Sequence, residues 1–160
     1  MRRSVVALSA TACLAISAGC GGTAPADRSS QADREWVDNT AGVIDQLERD
    51  LQLESSGGDT IAAARETLRG SLYTVLVAYT DFGGCRHMVA AAGDAPSRFA
   101  EVTRTLAAAC SLLQRAAVLF TRAATHGDAR MLVRAGHIAS SAGPLLVRAK
   151  VRLQAAATSR

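Results

Sequence analysis

The feature that most constrains the fold is a stripe of apolar residues that recurs at spacings of three and four. Its members are Phe99, Val102, Leu106, Cys110, Leu113, Ala117, Phe120 and Ala124. Residues with this spacing lie on one face of an α-helix, whereas a half-buried strand needs a period of two. The composition agrees, because 33 of the 160 residues are alanine and only 4% are aromatic. Alanine is the best helix former. The pattern therefore favours an all-α fold.

Two upstream segments show the same periodicity. The first covers residues 32–54 and is followed by Ser55-Ser56-Gly57-Gly58, which is typical of a helix end. The second begins at Asp59, a candidate N-cap, and ends at Gly83-Gly84. Within it, residues 72–79 are apolar nearly all round. We therefore expect this part of the second helix to be covered on all sides.

A fourth segment follows Asp128, another candidate N-cap. Its apolar positions stay in phase on both sides of Pro144, although proline interrupts the hydrogen bonds of a helix. Preserved phase predicts one kinked helix rather than two. Because the connections between the four segments are short, neighbouring helices should be antiparallel. The sequence therefore predicts a single domain over residues 32–160, an antiparallel four-helix bundle whose last helix is kinked at Pro144.

The first twenty residues have the organisation of an export signal. Met1-Arg2-Arg3 precedes an uncharged stretch over residues 4–18, which is shorter than the about 20 apolar residues of a membrane span. The end of the leader, Ile16-Ser17-Ala18-Gly19-Cys20, resembles the lipobox of bacterial lipoproteins. Ser17 departs from the pattern, because the strongest members of the class carry leucine there. The resemblance covers only the leader and implies that residues 1–19 are a lipoprotein signal peptide.

The same resemblance implies that Cys20 becomes the first residue of the mature chain and carries acyl groups. One acyl chain binds a membrane only marginally, whereas two or more hold a protein there. Residues 20–31 contain glycine and proline without periodicity, which predicts a flexible tether. The implied location is the extracytoplasmic side of the cell membrane. Cleavage by an ordinary signal peptidase nearby, or a disulfide at Cys20, is the alternative.

Charge is divided unevenly along the chain. Residues 20–81 carry 11 acidic and 5 basic side chains, whereas residues 82–160 carry 3 acidic and 11 basic ones. Four arginines follow one face of the last segment, namely Arg130, Arg134, Arg148 and Arg152. Either the acidic and basic helices are neighbours or solvated, or this basic face binds anionic lipid headgroups or an anionic envelope polymer. Export argues against nucleic acid as a partner.

Cys85 and Cys110 are the two cysteines of the predicted bundle. Two cysteines in an exported domain most often pair, so we expect a disulfide. Such a bond would stabilise the fold by roughly 3 kcal/mol. The alternative is a pair of free thiols that bind a metal or haem together with His87 and Met88, whose soft donors suit copper or zinc. Neither a Cys-x-x-Cys nor a His-x-x-x-His motif accompanies them.

No catalytic motif is found in the sequence. There is no Gly-x-Ser-x-Gly, no glycine-rich phosphate loop after a strand and no acid pair in an evidently apolar setting. We therefore expect a non-enzymatic binding or interaction module of the cell envelope, without a cofactor. Its partners would be the membrane, through the lipid anchor, and an envelope protein or anionic polymer. The alternative function is an extracytoplasmic metal or haem carrier that uses Cys85, His87, Met88 and Cys110.

Overall fold

The computed structural model describes residues 25–63 and 68–158, with side chains for 31–57 and 75–158. The elements in order are α1 Pro25–Ala63, α2 Leu68–Ala91, a 3₁₀ turn Ser97–Phe99, α3 Ala100–His126, α4 Ala129–Ser140 and α5 Gly143–Thr158. The described residues contain no strand, and the all-α prediction is confirmed. The predicted signal peptide and Cys20 lie outside the described residues.

The helices form an antiparallel four-helix bundle in which α4 and α5 together make the fourth rod. Helix α1 packs against α2, α4 and α5, and α3 packs against α2, α4 and α5. Trp36, in the first half of α1, donates a hydrogen bond to the Gly93 carbonyl, which follows α2. Arg152, late in α5, donates to Glu101 at the start of α3. These contacts between opposite ends of the helices confirm the predicted antiparallel arrangement.

The fourth rod is interrupted next to Pro144, so it consists of two helices and not of the single kinked helix that the sequence predicted. Helix α4 ends at Ser140, and α5 resumes at Gly143 after a two-residue turn. Proline has no N–H to donate to the carbonyl four residues earlier. In the turn, Ala142 instead donates to the Ala139 carbonyl. The buried positions keep their phase across the interruption, at Ala135, Ala139, Ala142, Leu146, Ala149 and Leu153.

Two aromatic stacks tie the other helices to α3. Trp36 stacks on Phe99 with ring centroids 4.8 Å apart, and Tyr79 stacks on Phe120 at 4.2 Å. Each such pair contributes about 0.5–1.5 kcal/mol beyond the burial of its surface. Phe99 and Phe120 are separated by about 30 Å of helix. The stacks therefore hold α1 and α2 against α3 at two distant levels of the bundle.

The turn between α3 and α4 follows the prediction closely. Helix α3 ends at His126, and Gly127 adopts the left-handed conformation with φ of 66°. Asp128 caps α4, because its Oδ1 accepts hydrogen bonds from the backbone N–H groups of Arg130 at 2.9 Å and Met131 at 3.1 Å. This arrangement satisfies two of the otherwise unpaired donors at the start of α4.

Helix α1 is longer at both ends than predicted. It begins at Pro25, so residues 25–31, which were expected to belong to the tether, are helical. A proline suits the first turn because its missing N–H needs no partner there. The helix also continues through Gly57-Gly58 to Ala63, so the predicted N-cap Asp59 lies inside it. The predicted helix end was wrong because a glycine costs a helix only about 1 kcal/mol, which packing outweighs. Gly57 itself is buried.

Helix α2 continues through Gly83-Gly84, where the sequence predicted its end, and extends to Ala91. Phe82 and Cys85, which flank the two glycines, are both fully buried. Their packing against the bundle outweighs the low helix propensity of glycine. The result is a hairpin in which α2 and α3 lie side by side over most of their length.

Candidate functional site

Cys85 of α2 and Cys110 of α3 form a disulfide, with their Cα atoms 5.3 Å apart. The predicted pairing is confirmed, and both residues are buried. Because α2 extends past Gly84 to Ala91, Cys85 lies within it and faces Cys110 of α3 directly across the hairpin. The bond links α2 to α3, the two helices that supply most of the residues of the candidate site described below.

The alternative metal or haem ligands are not brought together. While the disulfide is present, neither Cys85 nor Cys110 can supply a thiolate ligand. On α2, His87 points about 200° around the helix axis from Cys85 and is exposed, whereas Met88 is half-buried against the core. Among the described side chains, no group of three or more His, Cys, Asp or Glu residues could hold a metal ion.

The four arginines predicted to form a basic face are all exposed, and they differ in their contacts. They are Arg130, Arg134, Arg148 and Arg152. Arg152 is engaged, because its guanidinium donates to Glu101 Oε2 at 2.8 Å and to the Thr105 hydroxyl at 3.0 Å. Arg134 lines a groove beside α3. Arg130 and Arg148 have no acidic partner among the described side chains.

The acidic first helix and the basic last helix are neighbours, which was one of the explanations of the charge pattern. Lys150 Nζ of α5 lies 2.8 Å from Asp45 Oδ1 and 2.7 Å from Glu48 Oε2 of α1. Hydrogen bonds to Asp45 and then to Glu48 raise the pKa of Lys150 to about 12. Arg98 pairs with Asp33 of α1 at 2.7 Å. Ion pairs between neighbouring elements of the bundle therefore neutralise part of the charge asymmetry.

A buried polar cluster between α1 and α2 was missed by the sequence analysis. Gln46 Nε2 donates to Asp50 Oδ1 at 3.1 Å and to Asp81 Oδ2 at 3.3 Å. Burial, and then the charge of Asp81, raise the pKa of Asp50 from its ordinary 3.8 to about 6. The Tyr79 hydroxyl donates to Glu54 Oε1 at 3.2 Å. Burial, and then the charge of Glu54, raise the pKa of Tyr79 above its ordinary value of 10.

One signal in the sequence could have revealed this cluster. Asp50 and Glu54 follow Leu47 by three and seven residues, so they share its buried face of α1. Paired carboxyl groups with separated pKa values can act as an acid and a base. However, Asp50, Glu54 and Asp81 do not line either of the two grooves described next. The three carboxyl groups therefore join α1 to α2 without lining the candidate binding site, whereas Tyr79 of the same cluster lines the α2–α3 groove.

An open groove of about 560 Å³ runs along α3 between α2 and α4. We refer to it as the arginine groove, and it is lined by Arg86, Ser111, Gln114, Arg115, Val118, Leu119, Arg134 and Ile138. Its volume lies within the range of about 300–1,000 Å³ that small-molecule sites occupy. None of its three arginines forms an ion pair with a described acidic side chain. Among the described side chains, therefore, no acidic group compensates the positive charge of the groove.

A second groove, of about 690 Å³, lies between α2 and α3. We refer to it as the α2–α3 groove, and it is lined by Leu76, Tyr79, Thr80, Gly83, Gln114, Ala117, Val118, Phe120, Thr121 and Arg122. Small residues open it, because a Cβ added to Gly83 would lie 3.8 Å from the Ala117 Cβ. Gln114 and Val118 line both grooves, so the two are adjacent, and the Gln114 side chain between them donates a hydrogen bond to the Gly83 carbonyl at 3.4 Å.

Apolar side chains face water along the α2–α3 groove. Leu76 of α2 is 51% exposed and Val118 of α3 is 52% exposed. The expectation that residues 72–79 are covered on all sides was wrong, since Leu76 is 51% and Val77 is 40% exposed in the part of the chain that the structure describes. Exposed apolar surface bordered by polar residues is typical of a ligand or interaction site.

The two adjacent grooves form the candidate binding site of this protein. In the part of the chain that the structure describes, no helix combines the length and the hydropathy needed to span a bilayer. Comparisons with protein-family models, with curated proteins and with solved structures find no match to this chain.

Proposed function

We propose that this chain is a lipid-anchored, extracytoplasmic binding protein, and that its helical bundle binds an anionic component of the cell envelope without catalysis. The observation that carries the proposal is the convergence of Arg86, Arg115 and Arg134 on one groove, with no described acidic partner. Guanidinium groups bind phosphates and carboxylates through paired hydrogen bonds. An anion is therefore the ligand that this groove fits best.

The proposed anchor rests on the lipobox resemblance, and the length of the following segment is compatible with it. Cys20 lies five residues before Pro25, where α1 begins, and five extended residues span at most about 18 Å. Trp36, a core residue, is a further 16 Å or about three turns along α1. An acylated Cys20 would therefore keep the bundle close to the anionic headgroups of the membrane.

Mass spectrometry of the processed protein from its native membrane tests the anchor. We expect a chain that begins at Cys20 and carries acyl groups. The variant Cys20→Ser should move the protein into the soluble fraction and leave its thermal unfolding unchanged. A processed chain that begins elsewhere, or that carries no acyl group, would contradict the proposed anchor.

Vesicle binding by the soluble Cys20→Ser protein tests whether the helical bundle binds anionic components of the envelope. We expect it to bind vesicles of phosphatidylglycerol and phosphatidylcholine, and to release them at high salt. The double variant Arg115→Glu/Arg134→Glu should bind at least about tenfold more weakly, because each cation near an anionic surface contributes about 1 kcal/mol. The double variant Arg130→Glu/Arg148→Glu is the matched control, since it makes the same charge change outside the groove. An equal loss in both variants would mean that the groove is not the binding site.

A further inference from the structure

We infer that the ligand is one molecule of an anionic phospholipid with a single acyl chain, whose headgroup occupies the arginine groove and whose chain occupies the α2–α3 groove. This inference rests on the proposed function and adds the class and the orientation of the ligand. It starts from the two grooves lying side by side, with Gln114 and Val118 in the lining of both. A cationic groove beside a groove with exposed aliphatic side chains matches a charged headgroup joined to a hydrocarbon chain.

The polar end of the arginine groove suits a phosphate headgroup. Ser111 and Arg115 lie one turn apart on α3, and Arg86 of α2 donates to the Ser111 hydroxyl at 3.1 Å. Arg134 of α4 adds further donors to the same groove, whereas the Gln114 amide already donates to the Gly83 carbonyl. Three guanidinium groups offer more donors than a single carboxylate can accept, whereas a phosphodiester and the hydroxyls of its alcohol can use them together. The donor set therefore favours a phospholipid over a fatty acid.

The apolar path begins where these donors end. Val118 follows Gln114 by one turn of α3 and opens onto the α2–α3 groove, where Leu76 of α2 stands exposed on the opposite wall. Covering such aliphatic surface contributes about 25 cal/mol per Å². The groove runs between only two helices, which gives one path for a chain, so we infer one acyl chain rather than two.

The rims of the α2–α3 groove, rather than its floor, would contact the chain. Ala117 and Phe120, which line the floor, are only 9% and 5% exposed, so little of their surface is within reach of water or of a thicker hydrocarbon chain. Leu76 and Val118 are about half exposed, and a chain that lies along the groove contacts both of them.

Calorimetry and native mass spectrometry of the Cys20→Ser protein with lysophosphatidylglycerol, kept below its micelle concentration, test the inference. We expect one lipid per protein, bound at least about tenfold more tightly than glycerol phosphate, lysophosphatidylcholine or oleate. If oleate binds as tightly as lysophosphatidylglycerol, the inferred phosphate headgroup is wrong. If glycerol phosphate binds as tightly, the inferred acyl chain is wrong. If anionic vesicles bind in the arginine groove but lysophosphatidylglycerol does not, this inference fails and the proposed function stands. If neither binds, both fail.

The variant Gly83→Leu tests the path of the chain, because its side chain would fill the α2–α3 groove. Gly42→Leu is the matched control, since Gly42 has no atom within 4 Å of an added Cβ and lies on the exposed side of α1. We expect Gly83→Leu to bind lysophosphatidylglycerol at least about tenfold more weakly and to keep its vesicle binding, and Gly42→Leu to keep both. Undiminished lipid affinity in folded Gly83→Leu would overturn the inference.

A folding readout keeps this test decisive. Trp36 is the only tryptophan of the chain, and it contacts Gly93, which is about 15 Å along α2 from Gly83. Its fluorescence therefore reports folding independently of the groove. If Gly83→Leu does not fold, Val118→Glu replaces it, because Val118 is half exposed at the rim. The negative charge that this variant introduces into the apolar path should also weaken lysophosphatidylglycerol binding, and unchanged binding would overturn the inference.

Discussion

Asp50 of α1 and Asp81 of α2 accept hydrogen bonds from one donor, the side-chain amide of Gln46, whose Nε2 lies 3.1 Å from Asp50 Oδ1 and 3.3 Å from Asp81 Oδ2. Asp50 is only 1% exposed. Removal from water disfavours its ionised form, and the neighbouring carboxylate disfavours it further. These two causes, in that order, raise the pKa of Asp50 to about 6. The folded protein therefore holds a proton at this position well above the usual pH range of an aspartic acid.

The variant Asp50→Asn should be more stable than the wild type at pH 8. The folded-state pKa of about 6 exceeds the unfolded value of about 3.9, so the contribution of Asp50 to stability is full below about pH 4 and is lost as the pH rises through 6. Asparagine cannot ionise, so this loss should be absent. We expect a gain of roughly 1–3 kcal/mol in the free energy of unfolding at pH 8, measured by urea unfolding, and little change at pH 4.

Asp38→Asn is the matched control for this prediction, because Asp38 is exposed on the same helix. Its free energy of unfolding should differ from that of the wild type by less than about 0.5 kcal/mol at both pH values. A wild type that is as stable at pH 8 as Asp50→Asn would show that ionisation of the buried carboxyl carries no cost.

Removal of the disulfide should lower the stability of the bundle. The bond between Cys85 and Cys110 closes the loop that contains the turn between α2 and α3, and it restricts the unfolded chain. For a loop of this length the expected stabilisation is roughly 3 kcal/mol. The double variant Cys85→Ala/Cys110→Ala should therefore unfold at a lower urea concentration, and reduction of the wild type should produce a similar shift. Coincident unfolding curves for oxidised and reduced protein would contradict the stabilising role of the bond.

The boundaries of a helix could be predicted where periodicity and capping residues coincide. Helix α3 is the clearest example, because its apolar stripe is followed by Gly127 in the left-handed conformation and by Asp128 as an N-cap. At Gly83-Gly84 the local signal predicts an end, but burial of the flanking Phe82 and Cys85 carries the helix onward. Tertiary contacts decide such boundaries, and they are absent from a local pattern.

The candidate site was predictable only in part. The disulfide could be predicted by counting the cysteines of a domain expected to be exported. The excess of basic over acidic side chains in the second half of the chain is also visible in the sequence. Which arginines share a groove depends on helix packing, because Arg86, Arg115 and Arg134 come from three different helices. The predicted basic face grouped Arg134 with Arg148 and Arg152, whereas the groove places Arg134 beside Arg86 and Arg115. A helical wheel records the direction of a side chain but not the neighbouring helix it meets.

Two glycine substitutions should have opposite effects on stability. Gly42→Ala adds a methyl group to open space on α1 and improves helix propensity, so the free energy of unfolding should rise by roughly 0.5–1 kcal/mol. At Gly136 of α4, an added Cβ would lie only 2.8 Å from Glu54 Oε1, which accepts the hydrogen bond of the buried Tyr79 hydroxyl. The carboxylate must then shift, so Gly136→Ala should lower the free energy of unfolding by about 1 kcal/mol.

Thermal and urea unfolding of the two glycine variants, measured side by side, check this prediction. A Tyr79→Phe background provides the control, because the hydrogen bond that Gly136→Ala disturbs is already missing there. The cost of Gly136→Ala should shrink in that background, since interacting sites are not additive. If Gly136→Ala is stabilising, the Glu54 side chain can shift without losing its hydrogen bond to Tyr79. The close approach of α4 to α1 would then not contribute to the free energy of unfolding.

Thr40→Val should stabilise the protein, because the Thr40 side chain is buried without a hydrogen bond. It is 1% exposed, and its hydroxyl has no hydrogen-bond partner among the described residues. Burial of an unsatisfied hydroxyl costs roughly 1–3 kcal/mol, and valine has nearly the same shape. The free energy of unfolding should therefore rise by about 1 kcal/mol. Thr105→Val is the matched control, since the Thr105 hydroxyl donates to the Glu101 carbonyl at 2.8 Å and accepts from Arg152 at 3.0 Å. Urea unfolding should show a loss of about 1 kcal/mol for Thr105→Val, and losses in both variants would mean that the Thr40 hydroxyl contributes to stability.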